Sequence, residues 1–500
     1  MNTDLAEAVH LLAAATHSMS DSDLGQPFQW GAHREGVRFA LLGAMHELRA
    51  LAVQLASDRR RANIPLTRVQ HALAQYNAAY RDLDAALLGV NDKDYDQLPA
   101  PGEWPLRYVY GHMVGAERNF FALIHYGLRR QREAGELPVL LPEGEANRLL
   151  GPFEAFRDIM ESGTREEIAA FHARHRHRAM VEFAGIKDNE LDGPSTWWEG
   201  EPYSLEYRIH RMDAHLRQHT VQIDKTRDQL GQPAGEARRL LRLVYSALAE
   251  VEGALIGSPG IGADEIGAFT GSIHRLAQEA VAAVNQAHAM IAAVTGGDRE
   301  RVGALLAEDP HLANATSQDG IPIVRLAAYY GQDSIVESIL ESPEVELEIW
   351  DGAALGRLPD VEQAHKAWGN IILNEISRDG YTPLQLASFF GREEVARYLI
   401  AEGAAIDAVS RNAMKIQPIH AACAGSHTTI VRMLLEAGAD PNVEQQDGFR
   451  PLHSAAQNGN ADLVRLLLEH GANPALADAQ GRLPSKLAED EGFLELAGML

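Results

Sequence analysis

The sequence predicts an all-α chain: a helical bundle with extra helices, followed by an α-solenoid. Three observations carry this prediction. Apolar residues recur at the helical 3.6-residue period through the first 287 residues, and no convincing run of strict alternation stands among them. The last two fifths of the chain repeat themselves about every 33 residues. The 500 residues are 46% apolar and 23% charged, an ordinary globular composition. At about 150 residues per domain there is room for roughly three folded units.

Taken in order, helices are expected over 4–19, 33–61, 67–89, 105–131, 164–185, 203–230, 236–257 and 263–294, with Gly and Pro punctuation between them. Pro105 falls in the first turn of its helix, where a missing N–H costs nothing. The expected organisation is a helical hairpin at 1–66, with half of a degenerate bundle as the alternative reading. A four-helix bundle follows at 67–232, additional helices or a connector at 233–287, and repeats at 288–500.

The repeats begin most clearly at Asp379, Gln417 and Asp447. Pro383, Pro418, Pro451 and Pro484 are 35, 33 and 33 residues apart, and Gly391, Gly425 and Gly459 are 34 apart. Proline opens a first short helix and Gly391, Gly425 and Gly459 turn the chain. Gly403, Gly438 and Gly471 end the second helix in a left-handed cap. This T-P-L-H-x-A pattern resembles the ankyrin repeat. The unit beginning at Asp319 is recognisable, the stretch from Trp350 to Ile371 is degenerate, and the stretch from His288 looks like a cap. About six units are expected, caps included, and the resemblance implies a protein partner that is not itself identified.

The balance of charges excludes several functions. With 45 Lys and Arg against 70 Asp and Glu, the formal net charge is −25, which gives no reason to seek nucleic acid or an anionic membrane. The single cysteine, Cys423, rules out a disulfide framework and any multi-cysteine metal site. The first twenty residues carry Asp4 and Glu7 and lack a basic signal-peptide region. The nearest approach to a membrane span, 280–297, is interrupted by Asn285, Gln286, His288 and Thr295. A cytoplasmic protein with no membrane segment is expected.

Chemistry, if present, lies with histidines. His215 and His219 are four residues apart on one expected helix, so both rings stack on one face; His112 lies on another helix. A third imidazole facing that pair makes a three-nitrogen site with open positions, suited to a divalent metal such as Zn, Ni, Fe or Mn. The spacing alone leaves open exposed or otherwise satisfied histidines.

The order of features goes further. A helix leads to an acidic loop with a Pro-Gly-Glu-Trp turn (Asp94 to Trp104), then to a helix bearing His112, and last to a helix with His-x-x-x-His-x-x-Gln, His215 to Gln222. This resembles the DinB-like four-helix bundle superfamily, which includes thiol-dependent transferases and isomerases, over about 67–231. The resemblance implies a His112, His215, His219 triad around one divalent metal. It also implies a low-molecular-weight thiol as co-reactant, a small-molecule substrate, and a homodimer as one assembly. Gln222 matches the motif, with contact to the site and a plain helix-surface amide both open. Residues 1–66 read as a worn copy of the same start, in which Arg38 or Ala40 stands where His112 stands in the intact one.

Other clusters carry less. His172, His175 and His177 alternate with arginine and read as a solvated basic face, with an accessory metal site as the alternative. His33, His125 and His210 read as structural. Trp197 and Trp198 precede the last bundle helix and could roof the site or simply pack there. His420 and His453 hold the histidine position of the repeat, and Cys423 a small core position. The glycine-rich 257–262 follows no strand and is not read as a phosphate loop.

A metal on three neutral imidazoles keeps its full charge, so it can acidify a bound water or thiol without any protein cysteine. For hydrolysis a general base is needed, and helical angle places neither Glu117 nor Asp213 beside the triad. Catalytic residues beyond the metal ligands are therefore unassigned. Two functions stand: a metal-dependent transferase or hydrolase whose ankyrin array docks a partner, and a non-enzymatic interaction scaffold with a structural or vestigial metal site.

Overall fold

The computed structural model describes residues 3–133, 137–195, 202–258 and 260–500; Trp197 and Trp198 lie outside them. The fold is all-α, as the periodicity predicts. Contacts divide the chain into two compact units, Met1–Val284 and Asn285–Leu500.

The first unit is built on long helices: α1 (Thr3–Thr16), α2 (Arg38–Arg61), α3 (Arg68–Ala86), α4 (Leu106–Arg132), α5 (Phe153–Ser162), α6 (Arg165–Glu182), α7 (Leu205–Gln229), α8 (Glu236–Leu255) and α9 (Ala263–Gly296), the last crossing the unit boundary. Their starts are written in the sequence. The side chains of Thr67 and Thr164 accept from the third helical N–H while Gln70 and Glu167 reach back, closing capping boxes on α3 and α6. The helix expected over 33–61 begins only at Arg38. Residues Pro27–Trp30 (β1) and His33–Gly36 (β2) form an antiparallel hairpin with Trp30 opposite His33. Gly31, at φ 58°, makes this two-residue turn possible. Four-residue strands are too short to show alternation.

Two apolar cores fill this unit. One gathers α3, α4, α6 and α7 around Tyr76, Phe121, Phe183, Leu216 and Ile223. The other joins 5–55 to 237–284, with Leu12, Leu41, Leu48, Leu241, Leu248 and Ile273 fully or almost fully buried. The N-terminal helices and those after 235 thus share one core, and α8 packs against both α2 and α3. Each such side chain taken from water contributes about 1.5–3 kcal/mol. Arg38 ion-pairs with Glu236 at 2.8 Å, while Ala40 is buried, so neither occupies a ligand-like position. By length and apolar content α2, not 280–297, is the described helix that could cross a membrane. Its Leu41, Leu48, Leu51 and Leu55 are packed inside the unit.

The second unit is a stack of helix pairs. Five are complete among the described residues, their first helices at Ile323–Tyr329, Ile349–Leu355, Pro383–Phe389, Pro418–Ala424 and Pro451–Gln457. Shorter elements close the ends, including Pro484–Asp490. The degenerate stretch after Trp350 folds as a full pair, Ile349–Leu355 with Leu358–Trp368. Gly403, Gly438 and Gly471 have φ of 87°, 100° and 90°, the expected left-handed caps. His420 and His453 each accept from an N–H three residues back, at 3.0 and 3.1 Å. Each places its other ring nitrogen on a carbonyl of the following loop, Val443 or Arg482. Cys423 is fully buried and its thiol is pushed up by burial, which leaves it no nucleophilic role.

Candidate metal centre

Helices α4 and α7 pack against each other and bring the three predicted histidines together. One ring nitrogen from each of His112, His215 and His219 lies within 4.8 Å of the others. Ring centroids are 5.2 Å apart for His112 and His215, 4.9 Å for His112 and His219, and 4.5 Å for His215 and His219. His215 and His219 are buried, whereas His112 is exposed, so the cluster opens to solvent on the α4 side.

The ionisation of the rings suits a cation. Burial, then the neighbouring His219 and His112, pushes the His215 imidazole down to about 4, and burial and His219 lower His112. These two rings are neutral at pH 7 and keep a lone pair for a ligand. His219 Nδ1 lies 2.8 Å from Gln222 Oε1. An amide oxygen can only accept, so Nδ1 carries the proton and Nε2 is left with its lone pair. Of the two roles open to Gln222, the contact with the site is the one seen. His215 Nδ1 is buried with no hydrogen-bond partner, an unmet atom that a bound ion or ordered water would satisfy. Three converging imidazoles with room on one side fit a divalent metal.

The Pro-Gly-Glu-Trp turn acquires a role. Trp104 sets its ring edge against His112 at 5.5 Å, and Glu103 pairs with Lys225 of α7 at 2.6 Å, just beyond Gln222. His112 also lines a cavity of about 620 Å³. Gly111 and Gly115 open it, and Phe153, Phe156 and Met160 give it an apolar wall, with Arg157 beside them.

The expected basic face of α6 is corrected. His177 is exposed, but His172 and His175 are buried, as are Arg176 and the apolar Ile168, Ala179 and Met180 around them. His172 Nε2 meets Glu117 Oε2 at 2.9 Å and its Nδ1 meets the Tyr110 hydroxyl at 3.2 Å, while the Tyr76 hydroxyl donates to Glu117 at 2.8 Å. Burial pushes the Glu117 carboxyl up, but His172, His175 and Tyr76 outweigh it and hold it below its ordinary value. Glu117 is thus committed to a buried network. Asp213 pairs with Arg217 at 2.8 Å. The signal for the network was available: 168, 172, 175 and 179 share one helical face whose ends are apolar. Of the histidines expected to be structural, His33 stacks on Trp30, His125 is part-buried beside Phe121, and His210 is exposed.

Comparison with known proteins agrees with this architecture. Residues 75–223 match the DinB superfamily, and three overlapping stretches, 289–412, 353–445 and 407–478, match ankyrin repeats. The palmitoyltransferase Hip14 of Drosophila melanogaster is 29% identical over 152 residues, covering 30% of this chain. The chain spans only 19% of the length of that curated relative. Metal binding is general in the DinB-like superfamily, and ankyrin repeats are a protein-interaction module. The chain joins a DinB-superfamily helical domain, carrying a three-histidine cluster, to a C-terminal array of ankyrin repeats.

Proposed function

We propose that the protein is a divalent-metal-dependent enzyme acting on a small molecule, with thiol-transfer chemistry preferred to hydrolysis and the ankyrin array docking a protein partner in the cytoplasm. The carrying observation is the convergence of His112, His215 and His219 with one ligand nitrogen each within 4.8 Å and one exposed member. A triad sealed under apolar side chains would have argued for a purely structural ion; exposed His112 and the cavity beside it argue for access. Zn, Ni, Fe and Mn all suit such a donor set.

A divalent ion bound there supplies positive charge that acidifies a thiol or a water. The chain's own residues do the rest. Gln222 holds the His219 tautomer, Trp104 limits the movement of His112, and the Phe153, Phe156 and Met160 wall takes the apolar part of the substrate. Thiol chemistry is favoured because the two carboxylates nearest the triad in sequence are occupied: Glu117 by His172 and Tyr76, Asp213 by Arg217. No base is then needed, since a low-molecular-weight thiol is already acidic enough to lose its proton at a metal near neutral pH.

The test is metal content by mass spectrometry on untagged protein beside a His112→Ala, His215→Ala, His219→Ala variant. About one equivalent of metal lost in the variant, with thiol consumed in a screen of electrophilic small molecules by the wild type alone, supports the reading. A folded wild type that takes up none of the four metals would leave the ankyrin array as the functional part.

A further inference from the structure

We propose that the arginine-lined cavity where α7 passes into α8 is a binding site for an oxyanion of the phosphate class, separate from the histidine cluster. The cavity holds about 330 Å³ and is walled by Arg227, Arg238, Arg239 and Arg242 against Asp224 and Asp228. An excess of arginine is out of character for a chain of net charge −25.

The arginines are not equivalent. Arg242 is neutralised: its Nε and Nη2 donate to Asp82 at 2.7 and 3.1 Å, and its Nη1 to Asp224 at 2.7 Å. Arg227 is only 5% exposed, yet its hydrogen bonds go to main-chain carbonyls, those of Ala86 and, at 2.9 Å, Leu88. Its Nε is buried with no partner. Arg238 likewise donates through Nη2 to the carbonyls of Gln232, at 3.0 Å, and Pro233. Carbonyl dipoles do not cancel a full charge, and a desolvated guanidinium without a carboxylate is costly. Burial and then repulsion from Arg238 push the Arg227 guanidinium down to about 10, and burial also lowers Arg238.

The twenty-residue α8 starts at this cavity, but its first N–H, that of Glu236, already meets Asp21 Oδ1 at 3.4 Å, so the arginines and not the helix terminus carry the site. Planar guanidinium forks match phosphate oxygens, and an oxyanion could meet Arg227 and Arg238 directly, whereas Asp224, Asp94 and Asp228 act on Arg227 only through space. The volume leaves room for a small organic group on the phosphoryl.

The experiment is 31P NMR titration of inorganic phosphate into the full-length protein at ionic strength held constant with chloride. Saturable line broadening with millimolar or tighter affinity is expected. Arg238→Gln and Arg239→Gln should each weaken it about tenfold, the worth of one charge-assisted contact. Both side chains are part-exposed or exposed, so these variants keep the fold, which Arg227 variants could lose. The His112→Ala, His215→Ala, His219→Ala variant should bind phosphate unchanged, so this proposal stands or falls apart from the metal reading. Displacement by glycerol phosphate at lower concentration would identify a phosphorylated metabolite as the ligand, and equal or weaker displacement the free ion. No saturable binding, or binding unchanged in both arginine variants, would overturn the site.

Discussion

Gln222 Oε1 and His219 Nδ1 meet at 2.8 Å, one turn apart on the same helix, and this contact decides which nitrogen of His219 is free. Outer partners of metal-bound histidines are typically worth 10–100-fold in metal affinity. Gln222→Leu should therefore weaken metal binding by about that range without changing the helical content. Competition against a chromophoric chelator, with circular dichroism as the control, measures both. Gln222→Glu should restore affinity, because a carboxylate accepts the same proton.

Glu252 of α8 is the centre of a buried ion network. It accepts from Arg81 at 2.6 and 2.8 Å and from Asn77 and Arg176 at 3.0 Å each, and all four residues are at most 5% exposed. Burial alone would push its carboxyl up; Arg176 and Arg81 outweigh this and hold it well below the carboxylate range. Replacing Glu252 by Gln takes the carboxylate from Arg176 and leaves Arg81 with Asp84, at 2.8 Å, as its counter-charge. A loss of about 3–5 kcal/mol is expected, the usual cost of removing one partner of a buried pair. Amide hydrogen exchange along α8 should show it directly. Glu252→Gln with Arg176→Met should recover part of that loss, because one of the two buried cations that faced Glu252 is gone.

The contrast between this network and the triad shows what a sequence displays. The histidine pair is local, four residues apart on one helix, and the long helices follow from a local period, so both could be read. The partners of His172, His175 and Arg176 lie 55 to 99 residues away, at Tyr110, Glu117, Asn77 and Glu252. Without those partners, FHARHRHRAM looks like a surface. Composition outweighed register there, although Ile168 and Ala179 marked the inward face. The β1–β2 hairpin was missed for the opposite reason: its strands are too short for any period.

Arg325 and Asp351 replace a familiar feature of the repeats. Both stand at the third position of a first helix, where Gln385, His420 and His453 stand in later units. They approach to 3.4 Å, with Asp379 on the far side of Arg325 at 3.7 Å, and no hydrogen bond forms in either pair. Burial consequently wins over Arg325 and pushes the Asp351 carboxyl up to about 6. A folded value above the unfolded one near 3.9 means that the native state binds the proton more tightly. The destabilisation is fully present above about pH 6 and is relieved as pH falls towards 4. It is on the order of 3 kcal/mol at neutral pH. Asp351→Asn keeps an oxygen for the Glu348 N–H and removes this titration. Urea unfolding of the repeat unit should therefore show wild type gaining on Asp351→Asn between pH 6 and 4; parallel pH profiles would contradict the assignment.

Gly425 and Ser426 exchange the roles that the repeat spacing suggests. Gly391 and Gly459 follow their prolines by eight residues and adopt φ of 69°. Gly425 follows Pro418 by seven, so it stays right-handed at φ −80°, and Ser426 takes the left-handed position at φ 58°. A non-glycine residue there costs about 1–2 kcal/mol. Ser426→Gly relieves that cost, offset by about 0.4–1 kcal/mol of extra unfolded-state entropy and by the exposed hydrogen bond from Asn458 at 3.2 Å. A net gain of about 0.5 kcal/mol is expected. Gly425→Ala should behave differently, because conformation is not what excludes a side chain. A Cβ at Gly425 would lie 2.6 Å from the Phe389 carbonyl of the preceding repeat, a backbone atom that cannot swing aside. A loss of about 1–3 kcal/mol is expected from such overpacking. Opposite shifts in the urea midpoint of adjacent substitutions would separate strain in the turn from contact between repeats.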